Sequence, residues 1–490
     1  MFTIGYDVGS SSIKAVLFDV ANNVAVASVS VPKEEMPMEA RQPGWAEQSP
    51  LMWWEYVQQA TRQLFEQAPQ IAPEQVRAIG ISYQMHGLVL TDQQGNPLRP
   101  AIIWCDSRAV PIGEKALHAI GEQQCLSALL NSPGNFTASK LRWVIEQEPA
   151  IYQQARYFML PGDFIAFKMT GKATTTASGL SEGTLWDFQQ QQPAFWLMQH
   201  WQIAQAMLPE IVPTFGEQGY LTQEAAQLLG LSAGIPVAYR AGDQPNNAFS
   251  LNVLHPGEVA ATAGTSGVVY AVGEKAQPDM QMRFNTFLHV NHTSQSPRLG
   301  ALLCVNGTGS LYAWLRRTLC PELSYQQMNE LAATAPAGAD GVRLYPFGNG
   351  AERMLGNRDV GASVAGLQFN RHHRAHLLRA AQEGVVFALW YGMKAMQESG
   401  FQFHTIRAGH ANMFLSPLFA QTLASLSGAV IELYNTDGAQ GAARGAAVGA
   451  GWVSMQEVFK GLQVIEKIQP DSAQQVTLKQ VYAHWEAALQ

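Results

Sequence analysis

A two-domain α/β fold is predicted, and three observations predict it. The chain has 490 residues, more than one ordinary hydrophobic core accommodates. Two stretches half a chain apart, Phe2-Thr3-Ile4-Gly5-Tyr6-Asp7-Val8-Gly9-Ser10-Ser11-Ser12-Ile13-Lys14 and Val259-Ala260-Ala261-Thr262-Ala263-Gly264-Thr265-Ser266-Gly267-Val268-Val269-Tyr270, each read as strand, glycine-hydroxyl turn, strand. Short β-rich runs alternate with helical patterns around them. A turn of that composition leaves backbone N–H groups and hydroxyls uncovered at its tip, which suits phosphate oxygens. Its recurrence suggests a duplicated domain closing on one nucleotide.

Composition narrows the function classes. Apolar residues make up 47% and charged residues 14%, the make-up of a folded globular chain. The net charge is -7 and the pI about 6.0, with no Lys/Arg run long enough to track a phosphate backbone, so nucleic acid is not an expected partner. No apolar stretch reaches membrane-spanning length, and the first residues enter a strand rather than a leader, so a cytoplasmic protein with no membrane partner is expected. Cys105, Cys125, Cys304 and Cys320 form no C-x-x-C pair, which argues against a zinc knuckle or a disulfide framework. The run Arg371-His372-His373-Arg374-Ala375-His376 reads as a solvated basic face rather than a metal site.

Taken in order, residues 2 to 20 form the first hairpin, with Asp7 at the mouth of its turn. A polar stretch from Pro32 to Pro50 follows, and Leu51 to Phe65 carries Trp53, Trp54, Val57 and Leu64 at helical spacing. Val76 to Ser82 is a short buried strand leading into the loop Tyr83-Gln84-Met85-His86-Gly87. The segment Arg99 to Arg108 reads as a strand end carrying an aromatic, an acid and a base in succession, an arrangement that faces a cleft in α/β proteins. Helices are expected over Leu141 to Glu148 and Gly162 to Met169. Ile235 to Arg240 reads as a strand running into Ala241-Gly242-Asp243, with Pro245 in the first turn of a following helix. Gly441, Gly445 and Gly449 fall on one helical face, as a tightly packed helix requires, while Arg444 argues against a membrane setting.

Neither a G-x-x-x-x-G-K-[ST] loop nor a G-x-G-x-x-G turn after a strand is present, so phosphate handling falls to the two hairpins. Asp7 ends a strand beside such a turn, where a carboxylate can hold Mg²⁺ directly or through water; a turn-capping aspartate would look the same. Asp243, at a strand end facing a helix N-terminus, would be kept ionised by the helix dipole and free to accept a proton. A simple helix cap is the other reading of that residue.

Asp7-Val8-Gly9-Ser10-Ser11-Ser12-Ile13-Lys14, Gln84-Met85-His86-Gly87, Arg99-Pro100-Ala101-Ile102-Ile103-Trp104-Cys105-Asp106-Ser107-Arg108, Ala241-Gly242-Asp243 and Gly264-Thr265-Ser266-Gly267 occur in the order and spacing of the FGGY carbohydrate kinases, which the chain resembles from residue 1 to about 455. Within that family it looks most like the xylulose kinases. The resemblance implies two actin-like (ribonuclease H-like) ATPase domains with a ligand cleft between them: a sugar-binding domain over 1–248, an ATP-binding domain over 249–455, and a helical tail over 456–490. It implies ATP and Mg²⁺ as cofactors and a small sugar as acceptor, D-xylulose giving D-xylulose 5-phosphate. By similarity Asp243 is the base, and Asp7 with Asp243 organises the metal. Gln84, Met85, His86, Trp104, Asp106 and Arg108 join Asp243 in contacting the sugar. Gly9, Ser10, Ser11, Ser12, Lys14, Gly264, Thr265, Ser266, Gly309, Gly409, His410 and Asn412 contact the nucleotide. A homodimer is the default assembly.

Several positions depart from the family pattern. Cys105 stands where an Asn is common, and Thr175-Thr176-Ala177-Ser178 replaces a Thr-Asp-x-Ser signature, so an acid is missing. Gln244-Pro245-Asn246-Asn247 follows the base, and Ala351-Glu352-Arg353-Met354-Leu355 stands in place of Gly-Glu-Arg-x-Pro. Arg407-Ala408-Gly409-His410-Ala411-Asn412-Met413-Phe414 replaces a Gly-Gly-Gly-Ala turn, which puts larger side chains in or near the nucleotide pocket. The expectation is an active kinase with altered specificity, with another ketose, a 6-deoxyketose, a polyol or gluconate as the alternative acceptor. An actin-like ATPase or a sugar-sensing module without kinase activity is the alternative of another class.

Overall fold

The structure, a computed structural model, describes residues 1–489 and divides into two compact units. The first comprises Met1–Asn252, Phe287–Arg298 and Thr436–Leu462; the second comprises Val253–Thr286, Leu299–Asn435 and Gln463–Gln490, described to residue 489.

The first unit is built on a five-stranded sheet of β1 (Phe2–Val8), β2 (Ile13–Asp19), β3 (Val24–Val31), β4 (Val76–Tyr83) and β5 (Val237–Gly242), in the order β5-β4-β1-β2-β3. β1, β2 and β3 are antiparallel neighbours, with Asp7 opposite Lys14, whereas β4 runs parallel to β1 and β5 parallel to β4. One face buries Ile4, Tyr6, Val8, Ile13, Ala15, Leu17, Ile79 and Ile81 against the Pro50–Gln67 helix, which contributes Trp53, Val57 and Leu64. Proline at the start of that helix costs no hydrogen bond, because the first-turn N–H groups have no intrahelical acceptor. Tyr6 and Thr61 share a 2.7 Å hydroxyl hydrogen bond across the contact.

The other face receives the Gly438–Gly449 helix. Gly5 and Gly80 admit it: a Cβ on either would collide with the carbonyl of Ala439 or Ala442. The glycines the sequence places on one helical face serve the same close approach, Gly445 against the Tyr239 ring and Gly449 against the Ala238 carbonyl. Gly441 meets Ser250 and Asn246 on the same face.

The second unit repeats the plan. Its strands β6 (Glu258–Ala263), β7 (Gly267–Gly273), β8 (Leu299–Val305), β9 (Thr405–Gly409) and β10 (Val430–Tyr434) follow the order β8-β7-β6-β9-β10. The first two pairings are antiparallel and the next two parallel, the same succession as β3-β2-β1-β4-β5. Further strands extend the sheet to seven, among them Val464–Ile468, antiparallel to β10. The 25-residue Arg374–Glu398 helix runs through the core, burying Leu378, Val385, Val386, Leu389 and Met396.

The last part of the chain differs from a purely helical tail. Val464–Ile468 is a strand and Ser472–Glu486 a helix, and both belong to the second unit, while Thr436–Leu462 returns to the first. Apolar residues at Val464, Ile465 and Ile468 give a strand its sheet-pairing chemistry, which the helical reading overlooked. Among the described residues no helix is long and apolar enough to cross a membrane.

Candidate active site

In the first unit, three neighbouring strands of one sheet end at the candidate chemistry. β1 carries Asp7, β4 runs into Gln84–Gly87, and β5 ends on Gly242, with Asp243 opening the Asp243–Ser250 helix. Ser82 donates to Asp7 Oδ1 at 2.9 Å. Burial raises the Asp7 carboxyl above its ordinary range, while Ser82 and Lys14 act against the rise. Burial first, and then the charge of Asp7, push the Asp243 carboxyl up to about 7. The helix start does not keep Asp243 ionised as the sequence suggested, because desolvation and a like charge outweigh it.

The turn after β1 is open to solvent at Ser11, and the Gly9 N–H donates to the Ser12 carbonyl at 3.2 Å. Gln48 fixes it from behind by donating to the Ser10 carbonyl at 2.7 Å. Trp104, which is 52% exposed, donates its indole N–H to Ser10 Oγ at 3.2 Å, so one predicted sugar residue stands directly on the predicted phosphate turn. Lys14 is exposed on the adjoining strand.

Met85 packs at Gly242, the residue before Asp243, and His86 stands beside Glu182, its Nδ1 3.8 Å from Glu182 Oε2. A Cβ on Gly242 would sit 2.6 Å from Met85 Cγ and 3.0 Å from Glu182 Oε2, so glycine before the acid makes room for both. His86 has φ 63, a left-handed backbone that costs a non-glycine residue on the order of 1 kcal/mol. Its ring packs against Phe136 and Phe287, with centroids 4.9 and 5.3 Å away. Nδ1 lies 2.8 Å from the Glu182 carbonyl, an acceptor only, so Nδ1 carries a proton and donates it there. Gln84 is buried with its amide oxygen lacking a hydrogen-bond partner.

Asp106 and Arg108 are placed otherwise than the sequence suggested. Asp106 is fully buried and accepts hydrogen bonds from the Ala46 N–H (2.6 Å) and from the Arg108 backbone, Nε and Nη2. Arg108 reaches Glu47 at 2.7 Å and stacks on Trp45 and Trp143, 3.8 and 4.7 Å from the ring centroids. Neither side chain is open to a sugar. Their saturated network pins the segment that presents Trp104, with desolvated cation–π contacts adding about 2 kcal/mol.

The missing acid of the Thr175–Ser178 segment has a structural replacement. Thr176 caps the Ala177–Glu182 helix by accepting from the Gly179 N–H at 3.0 Å, the task an aspartate performs equally well at that position.

Two residues that motif reading missed stand under this site. Lys140 is fully buried on the Thr137–Gln147 helix, and its Nζ donates to the carbonyls of His86 (2.9 Å) and Ile103 (3.0 Å). Glu182 is 2% exposed, with both carboxyl oxygens lacking a hydrogen-bond partner. Burial holds its carboxyl well above the usual range. For Lys140 a signal existed: Thr137, Lys140, Leu141 and Val144 form an i, i+3, i+4, i+7 stripe, and a lysine on a buried stripe needs a polar partner. Glu182 sits in a segment of small residues with no comparable periodicity.

In the second unit, Gly264, Thr265 and Ser266 form the turn between β6 and β7, with Thr265 exposed. The Gly309 N–H donates to the Gly264 carbonyl at 2.8 Å, and a Cβ on Gly309 would collide with that oxygen. Gly309 thus buttresses the turn, its donor committed there rather than offered to a nucleotide. Gly409 ends β9, His410 and Asn412 are exposed beyond it, and Asn412 Nδ2 lies 3.6 Å from where a Gly264 Cβ would stand. The larger side chains of this segment do not all crowd a pocket. Arg407 pairs with Glu258 and Glu432, each at 3.1 Å, and Met413 and Phe414 enter the core.

The twofold succession of antiparallel, antiparallel, parallel, parallel pairings, each with a glycine-hydroxyl turn after its first strand, defines an actin-like ATPase fold. Residues 2–250 match the N-terminal domain of the FGGY family of carbohydrate kinases, and residues 259–454 match its C-terminal domain. The chain therefore belongs to the FGGY family of carbohydrate kinases. It is 30% identical to the xylulose kinase of Escherichia coli (strain K12), over 91% of this chain and 88% of that one. It is 28% identical to the xylulose kinase of Staphylococcus epidermidis, over 99% and 95% of the two chains. The crystal structure of xylulose kinase from Rhodospirillum rubrum superposes with a TM-score of 0.88 at 26% identity, covering 100% of this chain and 98% of that one.

Proposed function

We propose that this carbohydrate kinase transfers the γ-phosphate of ATP to a hydroxyl of a ketopentose, D-xylulose giving D-xylulose 5-phosphate. The observation that carries the reading is the buried Asp243 carboxyl at the end of β5, on the strand end against which Met85 packs at Gly242. Full-length relatives named xylulose kinases support the choice of acceptor.

In this reading, Met85 and the exposed ring of Trp104 offer apolar walls to the polyol, and His86 offers a polar ring beside them. Asp243 takes the proton of the acceptor hydroxyl as its oxygen bonds to the γ-phosphorus and the bond to the β,γ-bridging oxygen breaks, releasing ADP. The Gly9–Ser12 and Gly264–Ser266 turns, exposed at Ser11 and Thr265, suit phosphate oxygens, and Lys14 adds positive charge near the first turn. Such a reaction needs a positioned base and preorganised donors more than covalent help. Asp7 and Asp243 fit a Mg²⁺ ion, since a cation relieves the repulsion between two carboxylates, and Mg²⁺ is bound by one or two carboxylates together with substrate phosphates. When bound with the nucleotide, Mg²⁺ supplies neutralisation of the phosphate charge.

The test is a coupled assay for ADP release with ATP, Mg²⁺ and a panel of D-xylulose, other ketoses, 6-deoxyketoses, polyols and gluconate. The expected result is the highest kcat/KM for D-xylulose. A higher value for gluconate or a polyol would overturn the acceptor assignment, and sugar-independent hydrolysis alone would overturn the kinase assignment.

A further inference from the structure

We propose that Lys140 is a positioning residue for the acceptor sugar: its Nζ ties the main chain of the Gln84–Gly87 loop to that of the Ala101–Arg108 segment and sets where Met85, His86 and Trp104 stand. The proposal rests on the acceptor-site reading above.

The tie is made from one short helix. At the N-terminus of Thr137–Gln147, Thr137 Oγ1 donates to the Gly87 carbonyl at 3.2 Å. One turn on, Lys140 bridges the carbonyls of His86 and Ile103. Another turn on, Trp143 covers the Arg108 guanidinium and meets Trp45 edge-on at 5.3 Å. Positions 137, 140 and 143 thus grip both motif segments from below.

A fully buried lysine is costly, and its two partners are carbonyls rather than carboxylates, so stability alone gives it little reason to be there. Without it the carbonyls of His86 and Ile103 would lose these donors in a dry interior. The His86 carbonyl is the one that matters most, because its residue holds a left-handed backbone that the surroundings must enforce. Burial, opposed chiefly by Asp106, pushes the Lys140 ammonium down to about 7. An amine that has lost its proton still carries two N–H groups, enough for both carbonyls.

The experiment compares Lys140→Met with Leu141→Ala. Leu141 is a fully buried residue of the same helix whose apolar side chain has no donor for either carbonyl. For Lys140→Met the KM for D-xylulose is expected to rise tenfold or more, with the KM for ATP within twofold of wild type. Leu141→Ala is expected to lower the melting temperature while leaving both KM values within twofold. If the Met variant is insoluble, Lys140→Gln, too short to bridge both carbonyls, is expected to raise the sugar KM several-fold. An unchanged sugar KM in a soluble Lys140 variant, or an equal rise in Leu141→Ala, overturns the proposal. Amide hydrogen exchange without any sugar separates this outcome from failure of the acceptor assignment. Protection lost together over 84–88 and 103–108 in the Lys140 variant supports the tie even if wild type ignores D-xylulose, and unaltered protection there overturns it.

Discussion

A base that takes a proton from a sugar hydroxyl must be ionised, and burial beside Asp7 works against ionisation at Asp243, whose carboxyl is pushed up to about 7. In the free enzyme kcat/KM is therefore expected to fall as pH drops below about 7, and Asp243→Asn is expected to lose about 10²–10⁴-fold in kcat. The same residue has an opposite effect on stability. Its folded pKa lies above the ordinary 3.8, so the unfolded chain gives up that proton first. Any stability from the protonated form is complete below the unfolded value and is lost as pH rises through about 7. Asp243→Asn should thus melt higher than wild type at pH 8 and no higher at pH 4, a gain of up to a few kcal/mol at about 1.4 kcal/mol per pKa unit. Thermal unfolding at the two pH values, with a coupled kinetic assay across pH 5.5 to 8.5, checks both halves. A higher melting temperature of the variant at pH 4 as well would mean that Asp243 is not the group that burial penalises. Single residues were also where the sequence misled. Asp106 and Arg108 have the chemistry of sugar ligands, but a carboxylate that accepts from Ala46 and Arg108 has none of its capacity open to a polyol. Thr176 looked like a lost acid and is a helix cap.

The two hairpins were legible as elements because a glycine-hydroxyl turn between β-rich runs has a local cause: the turn needs small residues and the strands need alternation. The Gly438–Gly449 helix was legible as a helix with a small face, but what lies against that face is set by Gly5 and Gly80, more than 350 positions away in the chain. No local pattern reveals such a pairing. The contact is tight enough to give a sharp expectation. In Gly80→Ala the added methyl meets the Ala442 carbonyl, a backbone atom that cannot rotate away, so the helix must shift. Overpacking of this kind costs about 1–3 kcal/mol. Thermal unfolding of Gly80→Ala should show that loss, whereas Gly230→Ala, at φ 67 and ψ 33 with nothing within 4 Å of the added Cβ, tests the left-handed backbone alone and should cost about 1 kcal/mol. Equal losses in the two variants would mean that the close approach of the helix to the sheet is not the constraint on Gly80.

At the scale of the whole molecule, the sequence suggested a clean succession of two domains and a tail, yet the first unit is discontinuous. Residues 1–252 supply all five strands of its sheet, but the helix that covers one face comes from Thr436–Leu462. Without that segment Gly5, Gly80, Ala78 and Ala238 would lie at an uncovered face, along with the Val16 and Phe18 side chains that pack on Ala439 and Ala443. Thr3 would lose the Ala443 carbonyl as acceptor, and Asn246 that of Gly438. An apolar sheet face of this kind promotes aggregation rather than an independent fold. Expression of 1–252 alone is therefore expected to give insoluble protein or a chain without a cooperative melt. The same residues joined through flexible linkers to 287–298 and 436–462, the other two segments of the unit, should give a soluble protein with a cooperative thermal transition. The outcome turns on the helix and not on length, so a third chain carrying Gly5→Leu and the same two extensions provides the control. Its leucine would stand where the Ala439 carbonyl and the Ala443 backbone lie, and it should behave like 1–252 alone. A cooperative melt of unextended 1–252 would show that the first sheet is stable without its far-sequence cover.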